Sequence, residues 1–269
     1  MGRVAGSAAL DRLRIILSLV RRDYAVQYAG TALGFTWVLV QYLFQILLFF
    51  LIFGVLLRQA MPGRLDAVAS GAGDYLSYLL GGMCLWLPLS EMFLRACGIL
   101  SENRALVRRT AVGLGGFLWV PVVQALFHYA LIVVPVLLVG VVRGSAGPSS
   151  PLAVLLGFGL IFCLSGWSII LARVSVLLRD LSPLLRLLLQ ILFWMTPIVY
   201  VAPDWMIPYF NWNPLFGLVA LHRDLLFPAA LPLEVDSGAL AGVAWFAGFS
   251  LIAYALSARR LNALVVDHL

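Results

Sequence analysis

Amide and indole side chains recur at helical spacing in two apolar stretches of this sequence. Trp37, Gln41 and Gln45 share one side of a helix, because residues four positions apart lie on the same face. Gln190 and Trp194 repeat the pattern in a later stretch. Amides can hydrogen-bond to sugar hydroxyls, and flat aromatic rings can pack on the apolar C–H face of a sugar. The same pattern also fits glutamines that hydrogen-bond between packed helices.

Catalytic chemistry has little support in the sequence. The three histidines, His128, His222 and His268, form no H-E-x-x-H zinc motif. The stretch around Ser165 lacks the first glycine of a G-x-S-G serine-protease motif. A lone histidine in a membrane span usually hydrogen-bonds between helices, which is the role expected of His128. We therefore predict no catalytic residues and no metal site, since the three cysteines also lack metal-ligand spacing.

One acid–base pair lies within an apolar stretch, at Glu91 and Arg95. The spacing of four residues, with the acid first, favours an ion pair along one helix. An ionised pair inside a membrane is by default a candidate functional site. In the simpler interpretation Arg95 extends to the membrane surface and Glu91 only neutralises it.

Two polar connections separate apolar stretches. In the first, Ser101 is predicted to cap a short helix over 101–110 whose charge order suits the helix dipole. That helix could dock into a partner or serve as a plain connector. The second, residues 203–214, is rich in aromatics and prolines, which favours short helices at a membrane–water interface.

Composition shows which elements must position these residues. The 269-residue chain is 63% hydrophobic and 11% charged, too few charges to cover a soluble globule. We therefore predict an all-α integral membrane protein. All 18 basic residues are arginine, so the chain has neither the lysine of a P-loop nucleotide site nor a lysine for a Schiff base.

Six apolar stretches are long enough, at about 20 residues, to cross a bilayer as helices. They form a single transmembrane domain over 1–269. The predicted spans are 34–57, 75–100, 115–142, 152–176, 183–201 and 239–257. Before them, residues 9–23 have an apolar side and a basic side, and this pattern predicts an amphipathic helix in the lipid headgroup plane. Its basic residues are Arg12, Arg14, Arg21 and Arg22.

Arginines are distributed unevenly between the two sides of the membrane. The termini and the even-numbered connections hold 13 arginines, whereas the other connections hold 4 and Arg95 lies within a span. Because cytoplasmic segments carry the excess of positive charge, both termini are predicted to be cytoplasmic. The positive charge thus indicates a membrane topology rather than binding to nucleic acid.

Four motifs in register resemble the ABC-2 family of transporter permeases, in particular the polysaccharide exporters. The resemblance covers nearly the whole chain. Its carriers are residues 21–37 (RRDYAVQYAGTALGFTW), 102–109 (ENRALVRR), 196–200 (TPIVY) and 211–215 (NWNPL) followed by His222, Arg223 and Asp224. The chain departs from the family where Thr110 to Gly113 replace the usual Phe-Pro after the second motif.

The resemblance implies a transport role in the bacterial inner membrane. Such permeases pair as homodimers and dock on a separate dimeric ATPase subunit, which binds ATP and Mg, so no cofactor is expected on this chain. The substrate would be a lipid-linked polysaccharide, most simply an undecaprenyl-diphosphate-linked lipopolysaccharide O-antigen.

The resemblance also implies roles for four groups of residues. The amphipathic helix is the interface element. The channel would be lined by Trp37, Gln41, Tyr42, Gln45, Phe49, Gln190 and Trp194. The coupling helix would contact the ATPase through Glu102, Asn103, Arg104, Arg108 and Arg109. The outer gate would include Asp204, Trp205, Tyr209, Phe210 and Trp212.

Two alternatives stay open on the sequence alone. One is an ABC-2 permease for a small hydrophobic compound or a lipid. The other is a membrane enzyme that acts on polyprenyl-linked sugars, which would need paired acids in one pocket, whereas the 12 acids are scattered.

Overall fold

The computed structural model describes residues 2–56, 72–109, 113–200, 204–210, 213–228, 241–252 and 254–255. These residues fold into helices, and none of them lies in a β-strand, which confirms the predicted all-α class for this part of the chain. In chain order the helices are α1 (Gly2–Gln27), α2 (Thr36–Phe49), α3 (Ala72–Glu102), α4 (Arg104–Arg109), α5 (Gly113–Leu118), α6 (Val120–Arg143), α7 (Ser150–Cys163), α8 (Ser165–Leu177), α9 (Leu181–Trp194), α10 (Ile207–Phe210), α11 (Pro214–Leu226) and α12 (Ala241–Ile252).

Four apolar helical stretches are long enough to cross a membrane. They are Thr36–Leu56, Tyr75–Glu102, Leu114–Arg143 and Ser150–Leu177. The first includes a π-helical continuation of α2, the third joins α5 to α6, and the fourth joins α7 to α8. They match the first four predicted spans, because a run of about 20 apolar residues is stable in lipid only when its backbone is hydrogen-bonded internally.

The fifth and sixth predicted spans correspond to shorter helices. The helix α9 ends at Trp194, before the predicted end of its span at residue 201. Pro197 accounts for the early end, because a proline has no N–H to donate and its ring clashes with the carbonyl four residues earlier. Only α12 and residues 254–255 of the sixth stretch, 239–257, are described, so the count of six spans stays a prediction.

The helix α3 forms the centre of the bundle. Every residue from 77 to 89 is buried, and α3 packs mainly against α6 and α8, with α11 and α9 also in contact. The helix α2, by contrast, lies at the edge and buries only Val38, Tyr42 and Ile46. Most of the surface of α2 is therefore open to lipid or to another molecule.

The helix α11 is part of the core, although the sequence indicated only a half-apolar outer segment there. The side chain of Asn213 caps α11 by accepting a hydrogen bond from the Leu215 N–H at 3.0 Å, and Pro214 occupies the first turn. Such a cap and an N-terminal proline both favour a helix start. The helix then packs against α3 and α7 and carries the fully buried His222 and Arg223 into the bundle.

The amphipathic helix α1 is longer than predicted, at Gly2–Gln27 instead of 9–23. Its C-terminal part packs on the bundle through Val20, which joins a cluster with Ile99 and Val107 near α4. Leu13 and Leu17 remain exposed. This end of the bundle, where α1, α4 and the end of α3 meet, is called the α4 end below.

A glycine permits the close approach of α8 and α12. A Cβ at Gly166 would lie 1.9 Å from the main-chain oxygen of Ser250, and backbone atoms cannot rotate away. We expect Gly166→Ala to lower the unfolding free energy by about 1–3 kcal/mol, as overpacking does. The measurement is the thermal unfolding midpoint of the purified protein in detergent.

Gly159 supplies the control for that substitution. It lies on α7 with nothing within 4 Å of its Cβ position. Gly159→Ala should leave the midpoint unchanged or raise it slightly, because alanine favours a helix over glycine by about 1 kcal/mol. Equal midpoints for the two variants would contradict the close contact.

Candidate functional site

A buried polar network joins α1, α3 and α6 at the α4 end. Arg95 donates from Nε to Asp23 Oδ2 at 3.0 Å and from Nη2 to Asp23 Oδ1 at 2.5 Å. Gln124 Nε2 donates to the same carboxylate at 2.8 Å. A third contact, from Arg95 Nη1 to Glu102 Oε2 at 2.7 Å, extends the network to the end of α3. A bidentate arginine–carboxylate pair of this kind fixes both position and orientation.

The predicted ion pair between Glu91 and Arg95 is wrong. Arg95 binds Asp23 and Glu102 instead, and Glu91 binds His128. Both partners of Arg95 are more distant in the sequence than four residues, and one lies on another helix. Helical spacing alone could not reveal them.

Asn103 connects α1 to the start of α4. Its side-chain oxygen accepts a hydrogen bond from Arg22, and its Nδ2 donates to the Ile99 carbonyl at 2.8 Å. Its main-chain oxygen accepts hydrogen bonds from the N–H groups of Leu106 and Val107, which lie near the start of α4.

The predicted capping role of Ser101 is wrong. Ser101 lies within α3, and its hydroxyl donates back to the Gly98 carbonyl at 3.0 Å. The short helix begins at Arg104 and presents Arg104 and Arg108 to the exterior. The side chain of Arg109 and residue 110 lie outside the described part of the chain.

A second polar network lies on the membrane side of the first and contains Glu91, His128, Tyr24 and Tyr42. The ring of His128 contacts Tyr24 Oη through Nε2 at 2.8 Å and Glu91 through Nδ1 at 3.0 Å. Tyr42 donates to the Glu91 carboxylate. The network thus holds α1, α2, α3 and α6 together, which confirms the helix-bonding role expected of His128. His128 is buried between these helices.

Sequence reasoning missed this network because its members come from four separate segments. The sequence did contain one indication of this network, because the carboxylate of Glu91 and the ring of His128 each lie within an apolar stretch. Such groups are costly in hydrocarbon unless they pair. Tyr42, predicted to line a path, is buried here and does not share the exposed side of α2 with Gln41.

The two predicted amide–indole stripes lie on neighbouring helices. Phe49 and Phe193 are 5.3 Å apart between ring centroids, and Phe53 and Trp194 are 6.4 Å apart. These contacts join the far end of the first span to the C-terminal end of α9, and both helices start near the α4 end. The helices α2 and α9 therefore run parallel.

The amide groups of the stripes have no hydrogen-bond partners among the residues that the structure describes. Gln41 and Gln190 are exposed, Gln45 is half-buried, and none of the three hydrogen-bonds to another helix in the described part of the chain. The indoles of Trp37 and Trp194 are 37% and 46% exposed. The alternative of glutamines that hydrogen-bond between helices of the same chain is thus not observed here.

At the end of the bundle opposite α4, the segment that follows α9 is held firmly to α3. Tyr78 Oη lies 2.7 Å from the Pro197 carbonyl and 2.9 Å from the Tyr200 carbonyl, so the two oxygens share its one proton. Tyr75 Oη donates to Val199 at 2.6 Å. Arg223 of α11 donates to the Pro197 carbonyl at 3.0 Å, and its guanidinium lies 3.8 Å from the centre of the Tyr78 ring.

His222 anchors α11 in a neutral form. One ring nitrogen contacts Tyr129 Oη at 2.8 Å and the other contacts the Gly81 carbonyl at 3.2 Å. Burial lowers the pKa of His222 to about 4, because the charged form is poorly solvated there. Gly81 is needed at this position because a Cβ would lie 2.8 Å from Arg223 Cγ.

The outer segment 203–214 contains a 3₁₀ turn at Asp204–Met206 and the short helix α10. Trp205 and Tyr209 are exposed, whereas Phe210 is buried against Tyr200 and Phe216. Trp212 and the side chain of Asp204 lie outside the described part. The side chain of Arg12 does too, and Arg14 and Arg21 are exposed on α1.

Comparison with known proteins yields relatives along most of the chain. It is 23% identical over 250 residues to the O-antigen export system permease protein RfbA of Klebsiella pneumoniae, which covers 90% of each chain. A protein of the same name from Myxococcus xanthus is 24% identical over 85% of this chain and 86% of the relative. A further Klebsiella pneumoniae protein of that name is 21% identical over 83% and 84%. No protein-family model matches the chain. The relatives confirm the predicted resemblance to polysaccharide-exporting permeases.

Proposed function

We propose that this chain is the transmembrane subunit of an ATP-driven ABC-2 exporter that carries a polysaccharide across the bacterial inner membrane. The relatives named as O-antigen export permeases support this role. In the full proposal the substrate is an undecaprenyl-diphosphate-linked glycan of the O-antigen type. A second copy of the chain completes the permease, and a separate subunit dimer binds ATP and Mg. Both termini lie in the cytoplasm.

One structural observation carries the proposed substrate class. The parallel helices α2 and α9 present the amides of Gln41 and Gln190 and two exposed indoles on a side that the other described residues leave open. An amide in contact with lipid tails would lose its hydrogen bonds at a cost of several kcal/mol. A sugar chain passing along this side supplies hydroxyl partners for the amides and C–H faces for the rings.

The polar network at the α4 end suggests how ATP hydrolysis reaches the membrane helices. In the proposal α4 docks on the ATPase and moves with it. Asn103 links α4 to Arg22 of α1, and Glu102 links it through Arg95 to Asp23. The interface helix α1, with Leu13 and Leu17 directed to lipid, would therefore move together with α4.

We assign the outer gate to the segment after α9. The hydrogen bonds of Tyr75, Tyr78 and Arg223 tie the residues that follow α9 to α3 and α11. Movement of α3 or α11 would thus displace the segment that carries Trp205 and Tyr209, which are exposed at this end.

Deletion of the gene in its host, with staining of surface polysaccharide, tests the proposed function. We expect the polysaccharide to disappear from the surface, its lipid-linked precursor to accumulate inside, and both effects to be reversed by the wild-type gene. Surface polysaccharide that persists after deletion would contradict the proposal. Loss of resistance to a hydrophobic compound instead would favour the alternative permease class.

The charge of α4 provides a sharper test of coupling. We expect Arg108→Glu to weaken the complex with the ATPase at least about tenfold, because an interfacial charge reversal costs several kcal/mol. Co-purification of the two subunits, with ATP turnover of the complex, gives the measurement. The control Arg143→Glu makes the same change at the exposed last residue of α6, at the end of the bundle opposite α4. It should leave the affinity for the ATPase unchanged. A complex unaffected by Arg108→Glu would reduce α4 to a connector.

A further inference from the structure

A polar stripe runs along one side of α9, beside its buried face. Leu185, Leu189 and Phe193 are buried, and the residue after each of them, Arg186, Gln190 or Trp194, is exposed. Residues at a spacing of four lie on one side of a helix. From the α4 end towards the other end, the stripe therefore presents a cation, then an amide, then an indole.

An open surface pocket lies along the cationic end of the stripe. It has a volume of about 410 Å³ and is lined by Ser182, Pro183, Arg186, Leu187 and Gln190, all of them on α9. A hydroxyl, a guanidinium and an amide thus follow one another along one side of the helix and border the same open space. All three can donate hydrogen bonds, and the guanidinium and hydroxyl suit an oxyanion in particular.

The charge of Arg186 has no neutralising partner among the residues that the structure describes. No ion pair or hydrogen bond of Arg186 occurs in the described part of the chain. The exposed Arg179 and Asp180 precede α9 and cancel each other formally, while the first turn of α9 adds the partial positive charge of a helix start. The pocket therefore has a net positive potential, which favours an anionic ligand.

Apolar surface lies next to the pocket. Leu184 and Leu187 are 61% and 55% exposed, and Ile191 continues this apolar side towards Trp194. A free phosphate ion would use only the polar part of this surface. A molecule with a phosphate attached to a long hydrocarbon chain would use both parts.

The pocket also lies level with the start of the proposed sugar path. The helices α2 and α9 are parallel, and Phe49 contacts Phe193. Counting eight residues towards the start of each helix therefore brings Gln41 to the same depth as Leu185 and Arg186. A ligand whose phosphate binds Arg186 thus has its next groups beside Gln41 and Gln190.

We propose that Ser182, Arg186 and Gln190 form a binding site for the phosphate of a phosphate-bearing lipid at the cytoplasmic side of the membrane. This inference rests on the proposed function, in which the lipid carrier of the glycan enters from that side. The phosphate of the carrier and the phosphate of an ordinary anionic phospholipid share the chemistry that the site recognises. Arginine suits both because its planar guanidinium binds phosphate oxygens in pairs.

Lipid binding by the purified permease tests the site. The full chain in detergent is titrated with undecaprenyl diphosphate and, separately, with phosphatidylglycerol, and bound lipid is counted by native mass spectrometry. We expect Arg186→Gln to weaken binding of undecaprenyl diphosphate about tenfold or more, the usual effect of losing a charge-assisted hydrogen bond. Arg186→Lys should retain part of the affinity, because it keeps the charge but not the paired geometry.

Arg179→Gln is the matched control, since it removes an exposed arginine seven residues away and outside the pocket. It should change binding less than twofold. Loss confined to undecaprenyl diphosphate would assign the site to the carrier, and equal loss for both lipids would assign it to bilayer phospholipid. Unchanged binding of both lipids to Arg186→Gln would overturn the site.

The proposed function can fail separately from this site. Surface polysaccharide is measured in cells that carry the same variants. If the wild-type gene supports export, and the Arg186→Gln variant exports and binds lipid as well as the wild type, the site is rejected and the proposed function stands. Absence of export by the wild-type gene would reject the function, while the lipid titration still reports on the site.

Discussion

Asp23→Ala is expected to lower the unfolding free energy by about 3–5 kcal/mol, the cost of breaking one side of a buried ion pair. The Asp23 side chain is only 6% exposed and accepts two hydrogen bonds from Arg95 and one from Gln124. Removing the carboxylate leaves these donors facing a protein interior. Because Asp23 is one of the buried polar links from α1 to the bundle, with Arg22 and Tyr24, we also expect α1 to be held less firmly.

Glu102→Ala is the control, since Glu102 binds the same arginine from a site that is 57% exposed. Its loss should cost no more than about 1 kcal/mol, as for other exposed pairs. Thermal unfolding in detergent gives the stability, and protease cleavage within α1 reports how firmly it is held. Similar losses of stability in the two variants would show that burial of the Asp23–Arg95 pair does not determine its contribution to the unfolding free energy.

Trp194→Ala and Trp37→Ala are expected to reduce export about tenfold each while the protein still folds. Both indoles are partly exposed, so truncation removes less packing than loss of a fully buried indole would. Loss of aromatic contact with a sugar ring weakens binding by up to about 1.5 kcal/mol, and about 1.4 kcal/mol corresponds to a factor of ten. The paired measurement is surface polysaccharide in cells and yield of the permease–ATPase complex in detergent.

Trp245→Ala separates this effect from a general need for aromatic surface. Trp245 is 66% exposed and lies on α12, which packs on α8 through Phe246 and Ser250. Export should be unchanged in this variant. If the Trp194→Ala variant lost export and complex yield together, the indole would be a packing residue instead of a contact for the sugar.

Several features of this protein could be predicted from local sequence. Four spans were located to within two residues, because an apolar run of sufficient length has few alternatives to a helix in lipid. The amphipathic N-terminal helix and the short helix after α3 followed from periodicity and charge. The stripes at Gln41 and Gln190 were found because a spacing of four is itself a local property.

The partners of buried polar groups could not be predicted in this way. Glu91 and Arg95 have the spacing of an ion pair along one helix, yet their partners are His128 and Asp23. These contacts join residues 37 and 72 positions apart, so they depend on which helices pack and at what rotation. Hydropathy also overestimated the length of α9. An average over many residues does not register that Pro197 lacks the N–H that would continue the helix.

The sequence by itself determined that this is a multi-pass helical membrane protein with amide and indole stripes. Apolar length, helical periodicity and the positions of charges act within a few residues of one another and need no tertiary context. The tertiary structure alone decided that α11 is buried, that Asp23 and Glu91 complete separate networks, and that α2 and α9 lie side by side. A buried charge or amide is stable only when the packed helices place a hydrogen-bond partner beside it. That partner can lie at any separation along the sequence.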